Sequence, residues 1–111
     1  MTRVSALATE GLLGRLDGGF VQLYQGQTML AQMRFASPAF EPGDDCAYRA
    51  RPMMVGTGRA DGVAEQWVAV TDDGIPILAG RVGDDMLMNQ TYVAVGAEVR
   101  ISSFTYRQAP V

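Results

Sequence analysis

Short apolar segments alternate with clusters of turn-forming residues along the chain. The clearest example is residues 64–83, in which the apolar runs 67–70 and 75–79 flank a turn cluster at 71–74. Asp-Gly between two apolar runs is typical of a β-hairpin, because glycine adopts positive φ without a steric penalty. This stretch therefore predicts a hairpin, and Trp67, the single tryptophan of the chain, is its largest candidate core anchor.

Other segments carry similar strand signals. Residues 28–35 alternate with the period of two of a half-buried strand, although Leu30 falls on the otherwise polar face. Residues 98–107 show the cleanest alternation after the hairpin and predict one closing strand. Further strands are predicted over residues 20–24, 46–55, 86–88 and 91–95.

The spacing of these segments indicates the fold class. Pro38 and Pro42 exclude a central strand from residues 37–45, and Pro52 favours an edge position or a bulge. About seven or eight short strands separated by turns are typical of a sandwich, jelly roll or small barrel. We predict an all-β, jelly-roll-like antiparallel β-sandwich whose main core anchors are Phe20, Leu23, Trp67, Ile77, Val99 and Ile101.

The N-terminal residues carry a helical signal instead. Ser5 can cap a helix that ends near Leu16, and Gly18-Gly19 provides a stop. A chain of 111 residues has the length of a single domain. We therefore predict one β-sandwich domain over residues 1–111, in which residues 1–17 form an arm and a short helix.

Composition narrows the function classes. The net charge is −3, whereas a protein that tracks nucleic-acid phosphates needs a basic face. The absence of histidine excludes His-based triads and His metal sites, and Cys46 has no second cysteine to pair with. No apolar run approaches the roughly 20 residues of a membrane span. We expect a protein folded in the cytoplasm, without enzymatic activity or a cofactor, that binds neither nucleic acid nor membrane.

Three acidic pairs, at residues 44–45, 72–73 and 84–85, are candidate calcium ligands. Aspartate also favours turns, because its side chain bonds its own backbone, and none of the pairs has the spacing of a calcium-binding loop. We favour solvated turns and predict no metal site. The Gly-rich residues 56–59 lack the Lys-Ser/Thr element of a phosphate loop, which favours a flexible loop.

A set of sequence marks runs nearly from end to end of the chain: the leucine-bearing helix, Gly18-Gly19, Tyr24-Gln25-Gly26, Leu30-Ala31, Pro38-Ala39-Phe40, Trp67, Asp73-Gly74, Gly80-Arg81-Val82-Gly83, Asp85, Asn89, Gly96-Ala97-Glu98-Val99 and Ser103-Phe104-Thr105-Tyr106. Taken in this order, the marks resemble a family of short virion proteins of tailed bacteriophages that combine an N-terminal helix with a β-sandwich. The loop after Gly26 is shorter than in that family, and Val68 follows Trp67 where an aromatic residue is more typical.

Some proteins that this chain resembles are capsid decoration, or cement, proteins, which clamp neighbouring major capsid subunits from outside the head. The resemblance thus implies a virion location and the major capsid protein as partner. Together with edge strands that must be paired or protected, it favours a homodimer, with the strand that contains Pro52 and the N-terminal helix as candidate contact surfaces. The net charge of −3 adds the loops of Asp44, Asp45, Asp84 and Asp85 to the candidate interface, because they can face basic patches on the capsid. A tail or head-completion protein is one alternative. A jelly-roll carbohydrate-binding module, with or without a calcium requirement, is another, and exposed aromatic residues in a groove near the acidic turns would favour it.

Overall fold

A computed structural model describes residues 13–42, 47–51, 55–84, 86–88 and 90–107 of the chain. Within these ranges the secondary structure is all-β, and the strand pairs are antiparallel. The strands are Phe20–Gln25 (β1), Thr28–Arg34 (β2), Phe40–Pro42 (β3), Ala47–Ala50 (β4), Gly56–Thr57 (β5), Gly62–Val63 (β6), Gln66–Val70 (β7), Pro76–Arg81 (β8), Met86–Leu87 (β9), Tyr92–Val93 (β10), Glu98–Val99 (β11) and Ser103–Arg107 (β12).

These strands form two larger sheets and two small ribbons. The first sheet has the strand order β2-β1-β7-β8, and the second sheet has the order β3-β4-β12-β9. The ribbons are the two-stranded pairs β5–β11 and β6–β10. The predicted all-β antiparallel class is confirmed. The predicted N-terminal helix falls mainly on residues 1–12, outside the described residues. Leu13 and Gly14 are helical, and residues 15–18 form the turn that follows, with Leu16 N donating to Leu13 O at 3.0 Å.

The hairpin predicted around Asp73-Gly74 is confirmed as β7 and β8, the central and edge strands at one side of the first sheet. Thr71 holds the turn, because its Oγ1 accepts hydrogen bonds from the backbone N of Asp73 at 3.2 Å and of Ile75 at 3.1 Å. Gly74 has a φ of 86°, which explains the glycine there. The second strand begins at Pro76, and Ile75 lies exposed in the turn.

A β-bulge in the first sheet explains why Leu30 departs from simple alternation. Leu23 pairs with Ala31, but Tyr24 pairs with Met29, so Leu30 is an extra residue on β2. A bulge lets two successive side chains face the same way, and Leu30 is fully buried beside Ala31. The position of Leu30 on the polar face, as the alternation predicted, is therefore wrong.

The single closing strand predicted over residues 98–107 is also wrong, because the structure divides it into β11 and β12. Val99 and Phe104 are both buried, although an odd number of positions separates them. A continuous strand would place two such residues on opposite faces. The break lets β11 pair with β5 while β12 pairs with β4 and β9.

Short strands account for the remaining differences from the sequence prediction. The described part of the segment predicted over 46–55 contains only β4, and residues 56–57, predicted as a loop, form β5. Residues 40–42, predicted as part of a turn, form β3 at the edge of the second sheet. An edge position agrees with the exclusion of proline from central strands.

The two larger sheets meet at a cluster of aromatic rings. Trp67 on β7 and Phe104 on β12 make an edge-to-face contact with ring centroids 4.6 Å apart. Phe40 on β3 lies edge-on to Phe104 at 5.4 Å, and Phe35, which follows β2, lies 5.5 Å from Phe40. Such ring pairs stabilise a core by about 0.5–1.5 kcal/mol beyond the area they bury. This cluster is the centre of the sandwich-like core.

Burial confirms Leu23, Trp67 and Val99 as core residues, since each is at most 4% exposed. The other three predicted anchors are only half-buried, so their prediction as fully buried residues is wrong. Phe20 lies three positions before Leu23 and so faces the outer side of β1, where the Arg34 guanidinium sits 4.9 Å from the centre of its ring. Ile77 is the extra residue of a bulge between β7 and β8, and Ile101 lies in the break between β11 and β12.

Candidate functional site

Of the five residues in the predicted interface, the structure describes one, Asp84. Asp84 is exposed in the turn after β8, where its backbone N donates to Arg81 O at 3.3 Å. Asp44, Asp45, Pro52 and Asp85 lie outside the described residues. In the part of the chain that the structure describes, no group of three or more Asp, Glu or Cys side chains is placed to hold a metal ion.

A different surface stands out, and it is built by the two ribbons. One chain segment, residues 56–63, supplies both β5 and β6, which pair with β11 and β10 respectively. Gly58, between them, bonds the opposite loop twice: its N donates to Ala97 O at 2.8 Å, and its O accepts from Gly96 N at 2.9 Å. The positions of β10 and β11 relative to each other are therefore set by a single segment.

Close backbone approach explains the glycines of this segment. A Cβ atom on Gly58 would lie 2.0 Å from Ala94 O, and one on Gly56 would lie 2.6 Å from Met33 Cγ. Neither space can hold a larger residue without displacement of its neighbours. Next to these glycines, Arg59 N donates to Leu30 O at 2.7 Å. The ribbons are thus attached to strand β2 of the first sheet.

Two side chains complete the attachment of the ribbons by accepting hydrogen bonds from backbone N–H groups. Gln25 Oε1, at the end of β1, accepts from Val63 N at 3.1 Å. Asp61 Oδ1 accepts from Val95 N at 2.9 Å, which ties the loop after β10 to the turn before β6. These bonds matter because each ribbon strand is only two residues long and has few ladder bonds of its own.

Between β10 and β11 lies an open groove with a volume of about 310 Å³. Gln90, Tyr92 and Ser102 are among the residues that line it, and Tyr92 is 51% exposed. Glu98 and Arg100 line it as an ion pair, with Arg100 Nε 2.8 Å from Glu98 Oε1. Residues two apart on an extended segment share a face, which explains why this pair projects to one side.

The backbone that carries Tyr92 is held in place by its pairing with β6. Tyr92 lies directly opposite Val63 in the β6–β10 ribbon, and both side chains are exposed. Side chains at directly opposed positions of an antiparallel pair have Cβ atoms about 4.5–5.5 Å apart and interact with each other. Ala64 N also donates to Thr91 O at 2.8 Å, next to the same pair. The ring is therefore an exposed apolar surface on a fixed backbone.

The distribution of exposed apolar side chains also singles out this end of the molecule. Among the described residues, Val55, Val63, Tyr92 and Val95 lie in or beside the ribbons, whereas Ile75 and Leu87 lie elsewhere. The sequence pattern predicts a strand at Tyr92 and indicates no role for this residue. The sequence does carry a sign of the outward position of Tyr92 and Glu98. Each precedes a valine, Val93 or Val99, that is buried in the structure. Neighbouring residues of a strand face opposite sides, so Tyr92 and Glu98 face outward.

The arrangement can bind a ligand that offers both an apolar face and hydrogen-bonding groups. The ring of Tyr92 supplies a flat apolar surface, while Glu98 accepts and Arg100 donates hydrogen bonds at the same groove. Among the described residues, no helix has the length and apolar character needed to cross a membrane.

Comparisons of this chain with protein families, characterised proteins and solved structures find no match.

Proposed function

We propose that this chain is a structural protein of a tailed-bacteriophage virion that decorates the outside of the head and clamps neighbouring major capsid subunits. The observation that carries the proposal is the ordered run of sequence marks described above. Several marks coincide with structural requirements, since Gly26, Gly74, Gly83 and Gly96 all have positive φ at turns. The finer topology that we propose is a jelly roll, which has two sheets of the size found here.

The proposed mechanism is linkage between binding and assembly. A protein that binds the assembled shell, but not the free subunit, shifts the equilibrium toward the shell. Weak contacts repeated at every lattice position add to one another through multivalency. Our candidate partner is the major capsid protein, which the chain binds as a homodimer from outside the shell.

The contact surfaces in this proposal are the acidic turns and the strand edges. The exposed Asp84, with Asp44, Asp45 and Asp85, would face basic patches on the capsid, so that binding weakens as salt is raised. Edge strands need a partner or protection, and β8 is an edge of the first sheet in the described part of the chain. We place the protein on the capsid surface after its synthesis in the host cytoplasm.

Cryo-electron microscopy of virus particles that carry this chain tests the proposal. We expect density for many copies on the outer surface of the head, located between capsid subunits. A low-copy ring at the portal, or density within the tail, would support the head-completion or tail alternative instead. Complete absence of the chain from mature particles would reject every virion role.

Binding to purified heads gives a second test. Heads that lack the chain should bind it to saturation and then resist heating or low ionic strength better than bare heads do. The matched control is an excess of free major capsid subunits, which should not compete for the chain. Equal affinity for free subunits and for heads would contradict the linkage mechanism.

A further inference from the structure

The groove between β10 and β11 has the features of a binding site for a small ligand. Its volume of about 310 Å³ lies at the lower end of the range of about 300–1,000 Å³ found for ligand sites. Its lining residues combine one exposed aromatic residue with several residues that can form hydrogen bonds. In ligand sites generally, aromatic and apolar groups supply the contact area and polar groups fix the orientation of the ligand. The strands on its two sides, β10 and β11, both pair with one segment, residues 56–63.

We propose that this groove binds a neutral saccharide. A sugar ring presents an apolar face of C–H groups, which can stack on the exposed ring of Tyr92, and a rim of hydroxyl groups. The Glu98 carboxylate accepts hydrogen bonds from hydroxyl groups, and the Arg100 guanidinium donates to them. Gln90 and Ser102 can both donate and accept, so every polar wall of the groove fits a hydroxyl group.

The charge at the groove favours a neutral ligand over an ionic one. Glu98 and Arg100 form an ion pair at 2.8 Å and lie largely exposed at 58% and 69% of their side-chain surfaces. An anionic ligand would be attracted by Arg100 and repelled by Glu98, and a cationic ligand would experience the reverse. A hydroxyl group uses both partners without breaking their pairing. This binding does not require the virion role, and either proposal can fail alone.

Support beneath the groove makes the site rigid, which lowers the entropic cost of binding. Val63 lies directly opposite Tyr92 in the ribbon, which places the two side chains on the same face as cross-strand neighbours. Behind the groove, Gly58 bonds the 96–97 turn twice, and Asp61 bonds Val95 N. The walls are therefore held before a ligand arrives.

Screening of the full chain on an array of neutral and charged glycans, followed by NMR titration with the best neutral glycan, tests the proposal. We expect millimolar or tighter binding, with amide shifts concentrated in residues 90–102. Tyr92→Ala should weaken binding about tenfold or more, because it removes the stacking surface. Arg100→Gln should weaken binding about two- to tenfold, the equivalent of one lost hydrogen bond.

Matched controls separate a site from a general loss of structure. Tyr92→Phe keeps the ring and should retain most of the affinity, and Ile75→Ala removes an exposed apolar side chain outside the groove and should change nothing. Each variant is checked by circular dichroism for a folded state. The proposal is overturned if no neutral glycan binds at millimolar concentration, if charged glycans alone bind, if shifts fall outside the groove, or if Tyr92→Ala binds as well as the parent chain.

Discussion

In the first sheet, strands of five to seven residues lie side by side, and large buried side chains fill the space beneath them. In the ribbons, each strand is two residues long, and glycines, backbone hydrogen bonds and two polar side chains hold the chain together. The first sheet depends on side-chain volume, whereas the ribbons depend on backbone position. Substitutions that remove atoms should therefore damage the first sheet most, whereas the ribbons should be sensitive to atoms added at Gly56 and Gly58.

Removal of the Trp67 side chain should have the largest effect. Trp67→Ala deletes a ring that is 1% exposed and contacts Phe104 at 4.6 Å, which should cost about 3–5 kcal/mol of unfolding free energy. Urea denaturation followed by circular dichroism measures this, since the variant lacks the tryptophan signal. A shift in thermal midpoint of only a degree or two would reject Trp67 as the main anchor.

Addition of a single methyl group to the ribbons should have the next largest effect. Gly58→Ala places a Cβ 2.0 Å from Ala94 O, a backbone atom that moves only with its strand, and should cost about 1–3 kcal/mol. The matched control is Gly14→Ala, where no atom beyond the local backbone lies within 4 Å of the new Cβ. Denaturation of both variants, with amide hydrogen exchange of residues 92–99, gives the comparison. Equal stability of the two variants would show that the ribbons tolerate added volume.

Loss of one polar contact should have the smallest effect. Asp61→Ala removes the acceptor for Val95 N in an exposed position and should cost about 0.5–1.5 kcal/mol. Asp61→Asn keeps an acceptor oxygen and should recover most of the loss, whereas Asp72→Ala, in the exposed β7–β8 turn, should change stability little. Faster exchange of the Val95 amide in Asp61→Ala alone would confirm that the contact is local. Unchanged exchange would show that the ribbon does not need it.

The same contrast explains how far the sequence could be read. The all-β class and the β7–β8 hairpin were predictable, because their strands are long enough to show a period and Asp73-Gly74 marks the turn. The bulge at Leu30 was not, since alternation alone does not show where a ladder gains an extra residue. The ribbons have strands too short to show any period, so β5 read as a loop and β11 merged with β12.

The groove was missed for the same reason. Tyr92, Glu98 and Arg100 come together only because residues 56–63 pair with two separate strands, and that pairing is a long-range contact. A sequence shows which residues alternate within a strand but not which strands lie opposite one another. The acidic turns were easier to recognise in sequence, yet Asp84 is the one member of the predicted interface that the structure describes.

Trp67 also has a spectroscopic consequence. It is the single tryptophan of the chain, it is 1% exposed, and within the described residues its indole Nε1 has no hydrogen-bond partner. Its edge lies against the backbone of Gly80, where a Cβ would be 2.7 Å from the ring carbon Cζ2. Indole fluorescence is emitted at shorter wavelengths from apolar surroundings than from water. The emission maximum of the folded protein should therefore be blue-shifted. Unfolding should shift it to longer wavelengths, and this change reports the separation of the two larger sheets without any attached label.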